Sequence, residues 1–200
     1  IQTTERDEFI YHEMFAHVPM LTHPKPERIL IIGGGDGGLL RAVLRHQNPK
    51  LKVTMVEIDG TVIEMAKTHL PKHSQGAFDD PRAEIVIADG MDFMRETNET
   101  FDIILSDSTD PMGPGLALFS NPFYEAAAKC LGEHGILVTQ NGVSMLQLDE
   151  IVTTHQRLKN YFAHPTFYRA DVPTYVGGNM NLSFSSQQKA PYEQPEATLL

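Results

Sequence analysis

Apolar and polar positions along this chain fall into two alternating patterns, short β-branched runs and longer stretches with helical spacing. Residues 7–21 set Ile10, Met14, Val18 and Leu21 near one helical stripe, and the joint His23-Pro24-Lys25-Pro26 ends it. Runs at 28–32, 51–56, 84–88, 101–106 and 135–140 read as strands. Helices are expected at 39–46, 61–70, 121–131 and 147–162, the second of them stopped by Pro71. Two late runs, 166–170 and 180–185, read as strands close enough to pair antiparallel.

Alternating strands and helices with short connections imply one α/β domain, a parallel sheet covered on both faces. Residues 1–22 read as the end of an N-terminal segment and a connecting helix, 23–188 as the domain itself. Residues 189–200, polar and Pro-containing, read as a flexible tail. The opening Ile1-Gln2-Thr3-Thr4-Glu5-Arg6 looks like the middle of an element, so a longer chain is expected.

Composition narrows the function classes. With 41% hydrophobic and 21% charged residues the chain reads as globular rather than disordered. A net charge of −10, from 16 basic and 26 acidic residues, lacks the footprint of a general nucleic-acid binder and favours small cations. No apolar run approaches the ~20 residues needed to cross a bilayer, so no membrane partner is expected. Cys130 is the one cysteine, so no internal disulfide can form; a cytoplasmic location is expected, with Cys130 a buried apolar group. The nine histidines show no metal-site spacing with a third ligand and read mostly as surface or capping residues; no metal is expected.

The chemistry concentrates at predicted strand ends, where open parallel sheets bind ligands. Four successive strands end in Gly33–Gly38, Glu57, Asp89 and Asp107. The glycine run Gly33-Gly34-Gly35-Asp36-Gly37-Gly38 lets a ligand approach the backbone, although such turns also serve packing. Asp36 places a carboxylate where a pyrophosphate would need bare amides, which argues for a cationic or neutral ligand. Glu57, about twenty residues on, stands where an acid accepts from ribose hydroxyls. Asp89-Gly90 fits an adenine edge, or a common turn. Asp107-Ser108-Thr109-Asp110-Pro111-Met112-Gly113-Pro114 reads as a stiff acidic loop.

These segments resemble spermidine synthases. The likeness runs in order through Thr4–Glu13, Ile31–Gly38, Val56–Asp59, Asp107–Pro114, Gln140–Gly142 and Pro173–Gly178. It implies a Rossmann-like, methyltransferase-type seven-stranded sheet, mostly parallel, with helices on both faces. It also implies a small N-terminal β domain, which has no counterpart in these 200 residues, and a homodimer or homotetramer.

The implied reaction transfers the aminopropyl group of decarboxylated S-adenosylmethionine to putrescine, giving spermidine and methylthioadenosine. The nucleoside is a co-substrate, and no cofactor is expected. By the same resemblance Asp36 holds the aminopropyl ammonium, Glu57 the ribose and Asp89-Gly90 the adenine; Gly33, Gly35, His12 and Pro114 complete the nucleoside site. Tyr11, Asp107, Asp110 and Tyr175 form the polyamine side, with Asp107 as catalytic base.

An activated sulfonium needs only an unprotonated amine in line with its S–CH2 carbon. An ordinary aspartate, near pKa ~3.9, takes up a proton poorly, so Asp107 is expected to be raised by burial and by neighbouring carboxylates, Asp110 and more remotely Asp36. Other acceptors (spermidine, agmatine, cadaverine), an S-adenosylmethionine-dependent amine methyltransferase, or an inactive nucleoside-binding subunit are the alternatives.

Overall fold

The computed structural model describes residues 3–109 and 113–188. Helix α1, Glu8–Thr22, leads into strand β1, Arg28–Gly33, and helix α2, Gly38–Leu44. Strand β2 (Lys52–Glu57), helix α3 (Gly60–His69) and the short helix α4 (Pro71–Ser74) follow. Then come β3 (Ala83–Ile87), α5 (Gly90–Glu96), β4 (Phe101–Asp107) and a 3-10 helix at Gly113–Phe119. Helix α6 (Asn121–Cys130) runs directly into β5 (Leu131–Gln140), and α7 (Leu148–Leu158), β6 (His164–Ala170) and β7 (Met180–Ser186) complete the domain.

The seven strands form one sheet in the order β3-β2-β1-β4-β5-β7-β6. Strands β1 to β5 pair in parallel, while β7 runs antiparallel to both β5 and β6. The expected late antiparallel pair is therefore present. Its last strand is inserted between β5 and β6, an order that local pattern does not specify.

Strand alternation divides the core in two. Ile29 and Ile31 of β1 join Val53, Met55, Ile103, Leu105, Ile136 and Val138 on the face covered by α1 and α2. Leu30, Ile32, Val56, Ile104 and Leu137 point to the opposite face and pack with Phe123, Tyr124 and Leu158. A register shift between Phe101 and Ile103 turns Phe101 into this second layer. Both faces are buried, which is why these strands read as continuous apolar runs.

Helix starts are locally encoded. Asp59 Oδ1 accepts from Thr61 N–H at 2.8 Å at the head of α3, and Asp89 Oδ1 from Met91 N–H at 2.7 Å at the head of α5.

Two expectations need correction. The buried face of α1 is Glu8, Tyr11, His12, Phe15, Ala16, Pro19 and Met20, whereas Leu21 is 77% exposed and Ile10, Met14 and Val18 are only partly covered. Hydrophobicity misplaced the stripe because an ion network, described below, buries Glu8 and His12. Strand β5 begins at Leu131, earlier than expected, because it follows α6 without a turn. Six of the nine histidines are exposed or half-buried, as expected, while His12, His23 and His73 are buried.

Candidate active site

The strand order reverses between β1 and β4, and there the two central motifs meet. Gly33 pairs with Asp107 across the ladder, and Gly34 N–H donates to the Asp107 carbonyl at 3.1 Å. Gly33 has φ +81°, and a Cβ on it would lie 2.1 Å from the Asp107 carbonyl oxygen. Only glycine permits that approach.

Beyond this crossing lies a cavity of ≈910 Å³, within the usual range for small-molecule sites. Tyr11, His12, Gly33, Gly35, Asp36, Glu57, Asp89, Gly90, Asp107 and Tyr175 all line it. The sequence-derived site residues thus come together from α1, the β1–α2 turn, the ends of β2, β3 and β4, and the β6–β7 connection. Asp110 lies outside the described residues. Pro114 belongs to the 3-10 helix, and its side chain is likewise outside them.

The nucleoside side of this cavity is organised by short turns. Asp36 Oδ1 accepts from Gly38 N–H at 2.8 Å, which holds the carboxylate at the mouth of α2. Glu57 is buried, with Oε1 accepting from Asp59 N–H at 3.1 Å. A Cβ on Gly35 would meet Glu57 Oε2 at 2.9 Å, so glycine is needed for the acid and the turn to sit together. Asp89 Oδ1 is committed to capping α5, accepting from Met91 and Asp92 N–H. The turn reading of Asp89-Gly90 is therefore realised, while both residues still face the cavity.

Asp107 is the electrostatic centre. Its Oδ1 accepts from the Tyr11 hydroxyl at 2.7 Å. Burial within the surrounding protein, despite one side open to the cavity, pushes its pKa up to about 6; Asp36 and Glu57 add to the rise, while His12 and the Tyr11 hydrogen bond oppose it. Burial and the negative charge of Asp107 raise the Tyr11 phenol well above its ordinary value, so it stays a neutral donor. The Tyr175 ring stands edge-on to Tyr11, with centroids 5.9 Å apart. Its own pKa is raised chiefly by burial, then by Asp107.

One buried cluster was not singled out by sequence. Glu8 accepts from Arg41 through both oxygens, at 3.0 and 2.9 Å, and its Oε2 lies 2.5 Å from His12 Nδ1. Arg41 also donates to the carbonyls of Lys72 and His73, at 2.9 and 2.6 Å. His12 Nε2 faces Asp36 Oδ1 at 3.6 Å. Burial alone would lower the His12 pKa, but the Glu8 hydrogen bond and the charges of Asp36, Asp107 and Glu8 raise it. Glu8, although burial opposes ionisation, is held at about 2 by His12 and Arg41. The available signal was the i, i+4 spacing of Glu8 and His12.

Among the described residues no helix is long and apolar enough to cross a membrane, and no cluster of three or more His, Cys, Asp or Glu could hold a metal ion. Cys130 is buried, with its thiol pKa raised by burial, as the apolar reading requires.

Known proteins resemble this architecture closely. The spermine/spermidine synthase domain matches residues 8–194. Polyamine aminopropyltransferase 1 of Pseudomonas aeruginosa is 57% identical over 199 residues, covering 100% of this chain and 69% of that protein. A crystal structure of spermidine synthase with the transition-state analogue AdoDATO superposes with a TM-score of 0.90 at 43% identity, over 97% of this chain and 67% of that one. Human methyltransferase-like protein 13 shares the fold, with a TM-score of 0.67 at 22% identity over 96% of this chain and 86% of that one.

Proposed function

The chain belongs to the spermine/spermidine synthase family and is an aminopropyltransferase by that membership, and we propose that it joins decarboxylated S-adenosylmethionine to putrescine, giving spermidine and methylthioadenosine. One observation carries the reading: Asp36, Glu57 and Asp107 converge on a single cavity, with the Asp107 carboxyl raised to about 6 beside a neutral phenol.

In this mechanism Glu57 accepts hydrogen bonds from the ribose, and Asp89, Gly90 and Pro114 border the adenine. Gly33, Gly35 and His12 shape the rest of the nucleoside cradle. Asp36 pairs with the ammonium of the aminopropyl arm. This choice discriminates against S-adenosylmethionine, whose extra carboxylate would meet Asp36 with like charge. Tyr11, Asp110 and Tyr175 border the diamine, which the acidic cavity attracts as a dication.

Asp107 takes the proton from the attacking ammonium. The freed nitrogen lone pair then forms a bond to the S–CH2 carbon while the C–S bonding pair returns to sulfur. Loss of the sulfonium charge leaves a neutral thioether, and the new secondary amine keeps a proton as ammonium. The sulfonium carries its own leaving group, the neutral thioether, so the step calls for neither a separate cofactor nor a covalent enzyme intermediate. A carboxylate near pKa 6 receives a proton better than one near ~3.9 while remaining largely ionised at neutral pH. An amine shares the ~10.4 reference of lysine, so the low neutral fraction, not the alkylation alone, sets much of the barrier.

The deciding experiment incubates the protein with decarboxylated S-adenosylmethionine and a panel of diamines, and identifies products by mass. Spermidine and methylthioadenosine as the preferred products support the proposal. Preference for another amine would replace putrescine, and methyl transfer from S-adenosylmethionine would overturn aminopropyl chemistry.

A further inference from the structure

The connection between β6 and β7, residues 171–179, carries Tyr175 but contains no helix or strand. The residue before it, Thr174, is gripped by Asp7. Thr174 N–H donates to Asp7 Oδ2 at 2.8 Å, and Thr174 Oγ1 donates to Oδ1 at 2.8 Å. Thr4 Oγ1 donates to the same Oδ1 at 2.6 Å.

Asp7 occupies the N-cap position of α1, where an aspartate ordinarily accepts from its own helix, yet it makes no side-chain cap bond. Its carboxylate is spent instead on a loop 167 residues away. Asp7 is only 7% exposed, and the Thr4 and Thr174 hydrogen bonds outweigh burial to hold its pKa below the ordinary value. It is ionised wherever the protein is folded at moderate pH. One residue beyond the clamp, Tyr175 meets Tyr11 edge-on, and Tyr11 binds Asp107.

We infer that Asp7 is a positioning residue for the amine half of the site, clamping Thr174 so that Tyr175 stands as a wall beside Tyr11 and Asp107. This rests on the amine-binding reading given above. The two halves of the cavity rest on different supports. The nucleoside cradle is built mainly on the ends of β1, β2 and β3, with His12 held separately by Glu8. The amine wall hangs on a loop tied to the start of α1 by Asp7 and a Thr4–Thr174 contact of 3.3 Å. Loosening Asp7 therefore acts chiefly on the acceptor, because His12 keeps its own tie to Glu8.

Asp7→Asn, Asp7→Ala, Thr174→Val and Thr174→Ser test this. Steady-state kinetics should give an amine KM raised roughly tenfold in Asp7→Ala, the scale of one lost charge-assisted hydrogen bond. Methylthioadenosine affinity by calorimetry should stay within about twofold of wild type. Thr174→Val should give a partial rise and Thr174→Ser wild-type behaviour. A purely structural role predicts parallel loss of amine and nucleoside binding, and that result would overturn the inference.

Hydrogen exchange in substrate-free protein reads the clamp without any activity. Amides of residues 172–178 should exchange faster in Asp7→Ala; unchanged exchange there rejects the clamp whatever the kinetics show. Faster exchange in a protein whose wild type transfers nothing to any diamine would leave the clamp standing and reject the functional reading instead.

Discussion

The phenol of Tyr11 donates a 2.7 Å hydrogen bond to Asp107 Oδ1, tying the first helix to the end of the fourth strand across 96 residues of sequence. This contact does two things with opposite consequences. It stabilises the Asp107 anion, which lowers its pKa, and it places a ring against the proposed amine position. Burial, Asp36 and Glu57 push the carboxyl the other way and prevail.

Removing the base should separate chemistry from binding. Asp107→Asn is expected to lower kcat by roughly 10²–10⁴, the usual contribution of general base catalysis. Methylthioadenosine affinity should change only a few-fold. Full turnover in the variant would refute the assignment.

The same substitution should make the protein more stable at alkaline pH. A carboxyl raised from 3.8 to about 6 favours folding while protonated, and that advantage disappears as pH rises through 6. Asn, which cannot ionise, avoids this loss, so Asp107→Asn should gain about 1–3 kcal/mol over wild type at pH 8 and little at pH 4. Urea unfolding at the two pH values measures the difference.

Tyr11→Phe removes the hydrogen bond that lowers the Asp107 pKa. The acid limb of kcat/KM for the nucleoside substrate, expected near pH 6 in wild type, should move upward in the variant. A limb that stays in place or moves down would show that another group controls it.

Glu8→Gln breaks a buried ion pair and leaves Arg41 without its anion. A loss of about 3–5 kcal/mol is expected near neutral pH. The sign with pH follows from the depressed carboxyl: Glu8 contributes stability above its ordinary value of 4.5 and loses it as pH falls through about 2. Wild type and variant should therefore converge in acid, as guanidinium titrations at pH 2 and pH 7 can check.

Gly35→Ala tests the nucleoside cradle. The added Cβ would meet Val62 Cγ1 at 2.7 Å and Glu57 Oε2 at 2.9 Å. Both are ends of side chains that can swing aside, so the fold should survive while Glu57 is displaced. Methylthioadenosine affinity should fall roughly tenfold, the order of one charge-assisted hydrogen bond. Calorimetry beside a melting curve distinguishes this from general destabilisation.

Much of the site was legible because each strand end carries its chemistry locally. The glycine turn, Glu57, Asp89-Gly90 and Asp107 all follow apolar runs, and a parallel sheet gathers such ends on one edge. The α1 stripe was misread for an equally physical reason. Ile10, Met14, Val18 and Leu21 have the right spacing, but Glu8 and His12 can be buried instead because Arg41 and Asp36 compensate them. A hydrophobicity pattern cannot register a partner that arrives from 33 residues away.

By itself, then, the sequence determined the alternation of strands and helices, the strand-end acids and the family likeness, because these depend on residues near one another in the chain. Only tertiary structure decided that β7 inserts between β5 and β6, that Tyr11 reaches Asp107, and that Asp7 grips Thr174. It also decided the state of Asp107. The lift to about 6 comes from the packing of distant protein mass and from Asp36 and Glu57, neither of which lies on its strand.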